Sequence, residues 1–154
     1  MAKQKILFPY NFTQMDQKAA DFVVRTFSLQ EGIEITLFHL YTPLPAIETD
    51  SSTVMGRLTS SMQYLTKQLK EKEAALKDAQ EYLLKNGFSE NQLNYIFRAR
   101  EKQLADEIIA AAKEGNYLIV VLNYRPHRIT RLFIQSVHNK VVSSLKDVTV
   151  CIVT

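Results

Sequence analysis

Tyr117-Leu-Ile-Val-Val-Leu122 is the stretch whose reading decides the fold. It carries no charge and no alternating polar position, as expected of a strand whose sheet is covered on both faces. Such strands belong to parallel sheets, whose neighbours must be joined by crossover helices. Working outward, strand and helix periods alternate on both sides. Upstream, Leu104, Ile108, Ile109 and Ala112 recur at helical spacing, and Gly115 closes that helix. Before it, Leu93 to Arg98 reads as a shorter and more polar strand. Downstream, Thr130 is placed to cap a helix with Leu132, Phe133, Val137, Val141 and Leu145 on its buried side. Val148-Thr-Val-Cys-Ile-Val-Thr154 then reads as a final strand at a sheet edge.

The first half repeats the alternation. Lys5-Ile-Leu-Phe-Pro-Tyr10 is a short apolar strand, and Thr13 with Asp16 three residues on reads as a helix cap with an acidic partner. Ala20, Val23, Val24 and Phe27 form the stripe of that helix, with Gly32 as its left-handed stop. Ile33 to Tyr41 is a second strand, and Thr42 to Ser52, with Pro43 and Pro45, is a loop. A long helix is expected from about Val54 to Lys85. Met55, Leu58, Met62, Leu65, Leu69, Leu76, Ala79 and Leu83 follow three–four spacing, interrupted by Lys72. The stripe suits either a coiled-coil partner or, preferably, a crossover helix lying on the sheet. Asn86-Gly87 ends it, with Phe88 closing a hydrophobic cap. Five strands and four crossover helices predict an α/β fold. One doubly wound, mainly parallel sheet would carry helices on both faces, in a single domain over 1–154.

Composition narrows the function. The 154 residues are 46% apolar and 23% charged, which excludes wholesale disorder. A net charge of +3 is too mild for a dedicated nucleic-acid binder. The first ten residues hold too short an apolar run for a signal segment, and no stretch is long enough for a membrane span. Cys151 is the only cysteine, so no internal disulfide or cysteine-rich zinc site forms. The expected location is the cytoplasm.

In open parallel sheets, ligands sit at the C-terminal ends of the strands, where strand order reverses. Those tips are Pro9-Tyr10-Asn11, His39-Leu-Tyr41, Arg98-Ala-Arg100 and Asn123-Tyr124-Arg125. Phosphate loops there need glycine, so that backbone N–H groups can approach the ligand. The chain has four glycines: Gly32, Gly87 and Gly115 at helix ends and Gly56 at the start of the long helix. None is left for a phosphate loop. His39, His127 and His138 match no metal-ligand spacing, and no serine occupies a nucleophile elbow. The expectation is a protein without catalysis, metal or cofactor.

The element order, with Lys5-Ile-Leu-Phe-Pro, Tyr117-Leu-Ile-Val-Val-Leu, Arg131-Leu-Phe-Ile-Gln-Ser-Val and Val148-Thr-Val-Cys-Ile-Val, resembles the universal stress protein family along essentially the whole chain. The resemblance implies a Rossmann-like sheet in the order 3-2-1-4-5. Nucleotide-binding members carry Gly-x-x-Gly, nine residues, then Gly and Ser or Thr. Anchored on Ser136, those glycines fall on Leu122, Arg125 and Gln135, and the family's acidic residue after the first strand falls on Asn11. The nucleotide motif is therefore degenerate. A stress-response binding protein that does not depend on ATP is expected, acting through an unidentified protein partner and no nucleic acid or membrane. The rival is an ATP or AMP switch. It would use Arg125, Arg128, Gln135 and Ser136 toward phosphate, with Pro9, Tyr10 and Asn11 toward sugar or base. Tyr10, Tyr41 and Tyr124 either stack on a base or fill the vacated pocket, the second reading being preferred. An enzyme of the related nucleotide α-hydrolase-like group would need a glycine-rich loop after the first strand. The resemblance also implies a homodimer paired through the last strand, with Val148, Val150 and Ile152 at the contact.

Overall fold

Short apolar runs became strands and the stripes between them became helices. The strands are Gln4–Pro9 (β1), Ile33–Tyr41 (β2), Leu93–Ala99 (β3), Ile119–Asn123 (β4) and Thr149–Val153 (β5). The helices are Gln14–Phe27 (α1), Ser52–Lys85 (α2), Leu104–Glu114 (α3) and Val137–Ser144 (α4), with a 3-10 turn at Glu90–Gln92. The computed structural model describes residues 2–43, 52–124 and 136–154, with backbone alone over 52–59.

The five strands form one sheet in the order β3-β2-β1-β4-β5, every pairing parallel, as expected. Strand order reverses between β1 and β4, so the crevice of interest lies at their C-terminal tips. α1 and α2 cover one face, packing Ala19, Val23, Leu76 and Leu83 on Ile6, Phe8, Ile35, Leu37 and Val121. α3 and α4 cover the other, with Ile108, Ala112 and Val141 on Leu7, Phe38, Val120 and Leu122. Burial on both faces explains why β1 and β4 show no polar alternation. Among the described residues, no helix is long and apolar enough to cross a membrane.

Helix ends account for most departures from expectation. Gly87 has φ 114 and ends α2 as a Schellman cap: Phe88 N–H bonds Leu83 O at 3.2 Å and Gly87 N–H bonds Leu84 O at 3.5 Å. Phe88 is buried beside Leu83, the hydrophobic contact expected of this cap. Gly32 plays no such part. α1 ends in right-handed backbone at Ser28, Gly32 is not among the residues of positive φ, and an added Cβ there would meet nothing within 4 Å.

At the end of α3 the left-handed residue is Asn116 (φ 54), not Gly115. Gly115 is needed for space, since a Cβ would lie 2.2 Å from the Tyr117 ring. That ring is buried, its hydroxyl donating to Thr36 Oγ1 at 2.9 Å, so Tyr117 packs against the α3/α4 face of the sheet and β4 begins only at Ile119. Ser136, rather than Thr130, caps α4: its Oγ accepts the Asn139 N–H at 3.1 Å. Thr130, Leu132 and Phe133 lie outside the described residues.

α2 lies on the sheet through Leu76, Ala79 and Leu83, which is the crossover reading of its stripe. At 1.5 Å per residue its 34 residues measure about 51 Å. The nine residues of β2 measure about 30 Å, so the helix outruns the sheet that it covers.

Candidate functional site at the strand tips

β1 ends at Pro9, a position that needs no further ladder donor from the chain. Tyr10 N–H still bonds Phe38 O at 2.8 Å, and the chain then turns sharply through Phe12, which has φ 60. This turn delivers Thr13 to the start of α1. Three residues on, Asp16 is 0% exposed. Its Oδ2 accepts the Thr13 N–H at 2.7 Å and the Asn11 N–H at 3.1 Å. The first of these is the acidic half of the expected capping arrangement.

The other oxygen faces β4. Asp16 Oδ1 accepts a hydrogen bond from the side-chain amide of Asn123, the last residue of that strand. The Asn123 carbonyl in turn accepts from His138 Nε2 at 2.7 Å, in the first turn of α4, and His138 meets Tyr124 edge to face at 5.1 Å. A single chain of contacts therefore crosses the switch-point crevice from the β1 turn to α4. Burial pushes the Asp16 carboxyl above its ordinary pKa, while hydrogen bonds from Thr13, Asn11 and Asn123 pull it back down.

A second feature covers the tips of β1, β2 and β3 on the α1/α2 face. Phe8, Tyr10, Phe12, His39, Phe97 and Tyr41 form a continuous chain of ring contacts. Tyr10 meets Phe12 at 5.3 Å, Phe12 meets His39 at 4.6 Å, and His39 stacks on Phe97 at 5.8 Å. His39 Nδ1 lies 2.7 Å from the Tyr10 carbonyl. A carbonyl can only accept, so Nδ1 carries the hydrogen and Nε2 is left as a bare lone pair. That Nε2 is buried and, among the described residues, has no hydrogen-bond partner. Burial pushes the His39 pKa down; the Tyr10 carbonyl opposes the shift and Lys72 adds to it. The Tyr10 phenol is pushed up, by burial first and by Asp16 second.

On the opposite face, Glu107 is 3% exposed, with Arg98 Nη1 2.8 Å from its Oε2, off the line of a hydrogen bond. Its Oε1 accepts the Lys102 N–H at 3.1 Å, which fixes the β3–α3 loop. Among the described residues, no group of three His, Cys, Asp or Glu side chains is placed to hold a metal ion.

Of the residues singled out in the sequence, Pro9, Tyr10 and Asn11 lie on the β1 side of the crevice. Ser136 lies across it, two residues before His138. Arg125, Arg128 and Gln135 lie outside the described residues. Tyr10, Tyr41 and Tyr124 all pack edge-on or tilted against neighbouring rings. β5 is an edge strand. Val148, just before it, and Val150 pack half-buried against the second core, and Ile152 is 43% exposed. Sequence reading missed the Asp16–Asn123 pair. Asp16 was legible only as a cap, although an Asn ending so apolar a strand is itself a signal of a polar partner.

A family model described as the universal stress protein family matches residues 3–151. The chain belongs to the universal stress protein family. Universal stress protein UspA from Lactobacillus plantarum has the same fold, with a TM-score of 0.68 at 16% identity over 100% of this chain and 99% of that one. The universal stress protein from Archaeoglobus fulgidus in complex with dAMP superposes with a TM-score of 0.63 at 15% identity, covering 100% of both chains. A universal stress protein in complex with cAMP gives 0.67 at 15% identity, over 100% of this chain and 98% of that one. No curated protein matches significantly. At these identities the likeness to the solved structures carries the fold, and the family's nucleotide chemistry has to be judged on this chain's own residues.

Proposed function

We propose that this chain is a regulatory binding protein of the universal stress type, without catalysis and without dependence on ATP. One observation carries the reading: the crevice where strand order reverses is bridged by the Asp16–Asn123 hydrogen bond. A nucleotide seated between the two tips would have to break that bond and leave a buried carboxylate short of a donor. The rings of Tyr10, Phe12, His39 and Phe97 favour the same reading, because they pack on one another rather than leaving a slot for a base. Ser136, the residue of the nucleotide motif that survives, has its hydroxyl oxygen engaged as a helix cap.

In this reading the protein acts as a homodimer. β5 offers its outer edge and the exposed Ile152, beside Val148 and Val150, to the same strand of a second copy. The location follows as cytoplasmic, and the client is a protein.

The alternative is a nucleotide switch, favoured by the family members held with dAMP and cAMP. Calorimetric titration of the purified protein with Mg-ATP, dAMP and cAMP decides between the two. No heat at millimolar nucleotide, with none released on denaturation, supports the binding-module reading. Saturable binding weakened by Arg125→Ala or Arg128→Ala overturns it.

A further inference from the structure

We propose that protonation of His39 opens the ring cluster over the tips of β1, β2 and β3, so that access to this end of the sheet is acid-controlled. The inference goes beyond the reading above, which treats these tips as closed and gives them no role of their own.

His39 stands in the middle of the cluster, with Phe12 on one side and Phe97 on the other. Only its neutral form fits the site. Nδ1 is committed to the Tyr10 carbonyl, and Nε2 is sealed from water without an acceptor among the described residues. A proton added at Nε2 would be a buried charged donor with nothing to bond, which is costly until the ring reaches solvent. Among the described residues, the charged groups around it give that donor no acceptor. Lys72, facing it from α2, is a cation that disfavours the proton, and Asp16 on α1 favours it only through space, since its oxygens already accept from Asn11, Thr13 and Asn123. The Tyr10 phenol, pushed above its usual range, stays protonated and carries no charge at neutral pH.

The element that would respond is the turn between β1 and α1. Phe12 sits at φ 60, a left-handed conformation that a bulky side chain avoids, and its ring is held between Tyr10 and His39. When the imidazole swings out, Phe12 loses one of these contacts and the Tyr10 carbonyl loses its donor. The strain is then free to relax and the turn shifts, exposing ring surface at the strand tips.

The test uses the full chain from pH 8 to pH 5. The imidazole nitrogens of His39 are followed by NMR, and exposed apolar surface by a hydrophobic fluorescent dye. The expected result is an Nδ1–H tautomer that resists protonation to below the ordinary histidine range. Dye fluorescence should rise several-fold in the same step. That rise should be absent in His39→Gln, whose amide can still donate to Tyr10, and in His39→Phe. If His39 titrates at its ordinary value, or the dye response persists in whichever His39 variant folds, the latch is overturned. A nucleotide signal at pH 7 would overturn the binding-module reading instead, and would leave this titration to be judged on its own result.

Discussion

The carboxylate of Asp16 and the side-chain amide of Asn123, 107 residues apart in sequence, meet across the crevice between β1 and β4. The bond joins the two halves of the sheet beyond the last β1–β4 ladder pair, Leu7 with Val120. Removing the carboxylate strands three donors at once: two backbone N–H groups and the amide. Asp16→Ala is expected to cost about 3 kcal/mol in urea unfolding, and Asn123→Ala about 1 to 2 kcal/mol. The double variant should fall short of the sum by about 1 kcal/mol, because both changes delete the same contact. Full additivity would mean that the pair contributes no coupling.

The buried Asp16 and the half-buried His39 give the stability curve opposite slopes. His39 has a folded-state pKa below its ordinary value, so the unfolded chain takes up the proton first. Its contribution is whole above the ordinary histidine range and is lost as pH falls below it. Asp16 is shifted upward, so its contribution is whole below the ordinary carboxylate range and is lost as pH rises through the elevated value. Unfolding free energy should therefore drop between pH 7.5 and 5.5 in the parent protein and drop less in His39→Gln. Equal drops in the two proteins would remove His39 from the account.

Two glycines at helix–strand junctions should respond in opposite ways to alanine. Gly115→Ala drives a Cβ into the Tyr117 ring and is expected to lower stability by about 2 kcal/mol or more. Gly32→Ala meets open space and normal backbone, so it should be neutral or raise stability by about 0.5 kcal/mol. Thermal melts of the pair check both signs.

The proposed dimer makes a simple demand. Ile152→Lys places a charge on the outer edge of β5, on a side chain already 43% exposed, so the fold should survive. Sedimentation at high micromolar concentration should show a dimer for the parent protein and a monomer for the variant. A parent protein that sediments only as a monomer would end that part of the reading.

The strands were legible because β1 and β4 are buried on both faces, which leaves a short apolar run in the sequence, and because β2 is rich in β-branched and aromatic residues. The helix stop at Gly87 was legible because only glycine suits its backbone. Gly32 misled, since a glycine after a helix need not be left-handed. Tyr117 misled too: its ring reads as strand, but its hydroxyl is drawn to Thr36 beneath the sheet. The crevice was legible as a place and not as an arrangement. Loss of the motif glycines could be counted, but a bond between positions 16 and 123 is set by topology and leaves no local pattern. His39 likewise read as a strand ending, and its orphaned nitrogen emerges only when Phe12 and Phe97 arrive from other strands and turns.

α2, longer than the sheet beneath it, divides one continuous helix into two thermodynamic regimes. Around Leu76 and Leu83 its amides open only when the core opens, because those side chains are 0% and 1% exposed. Over residues 60–70 no side chain is fully buried, so turns there can unwind without uncovering that core. Amide hydrogen exchange along this single helix should therefore run from near-global protection around residues 76–83 to shallow, local opening over 60–70.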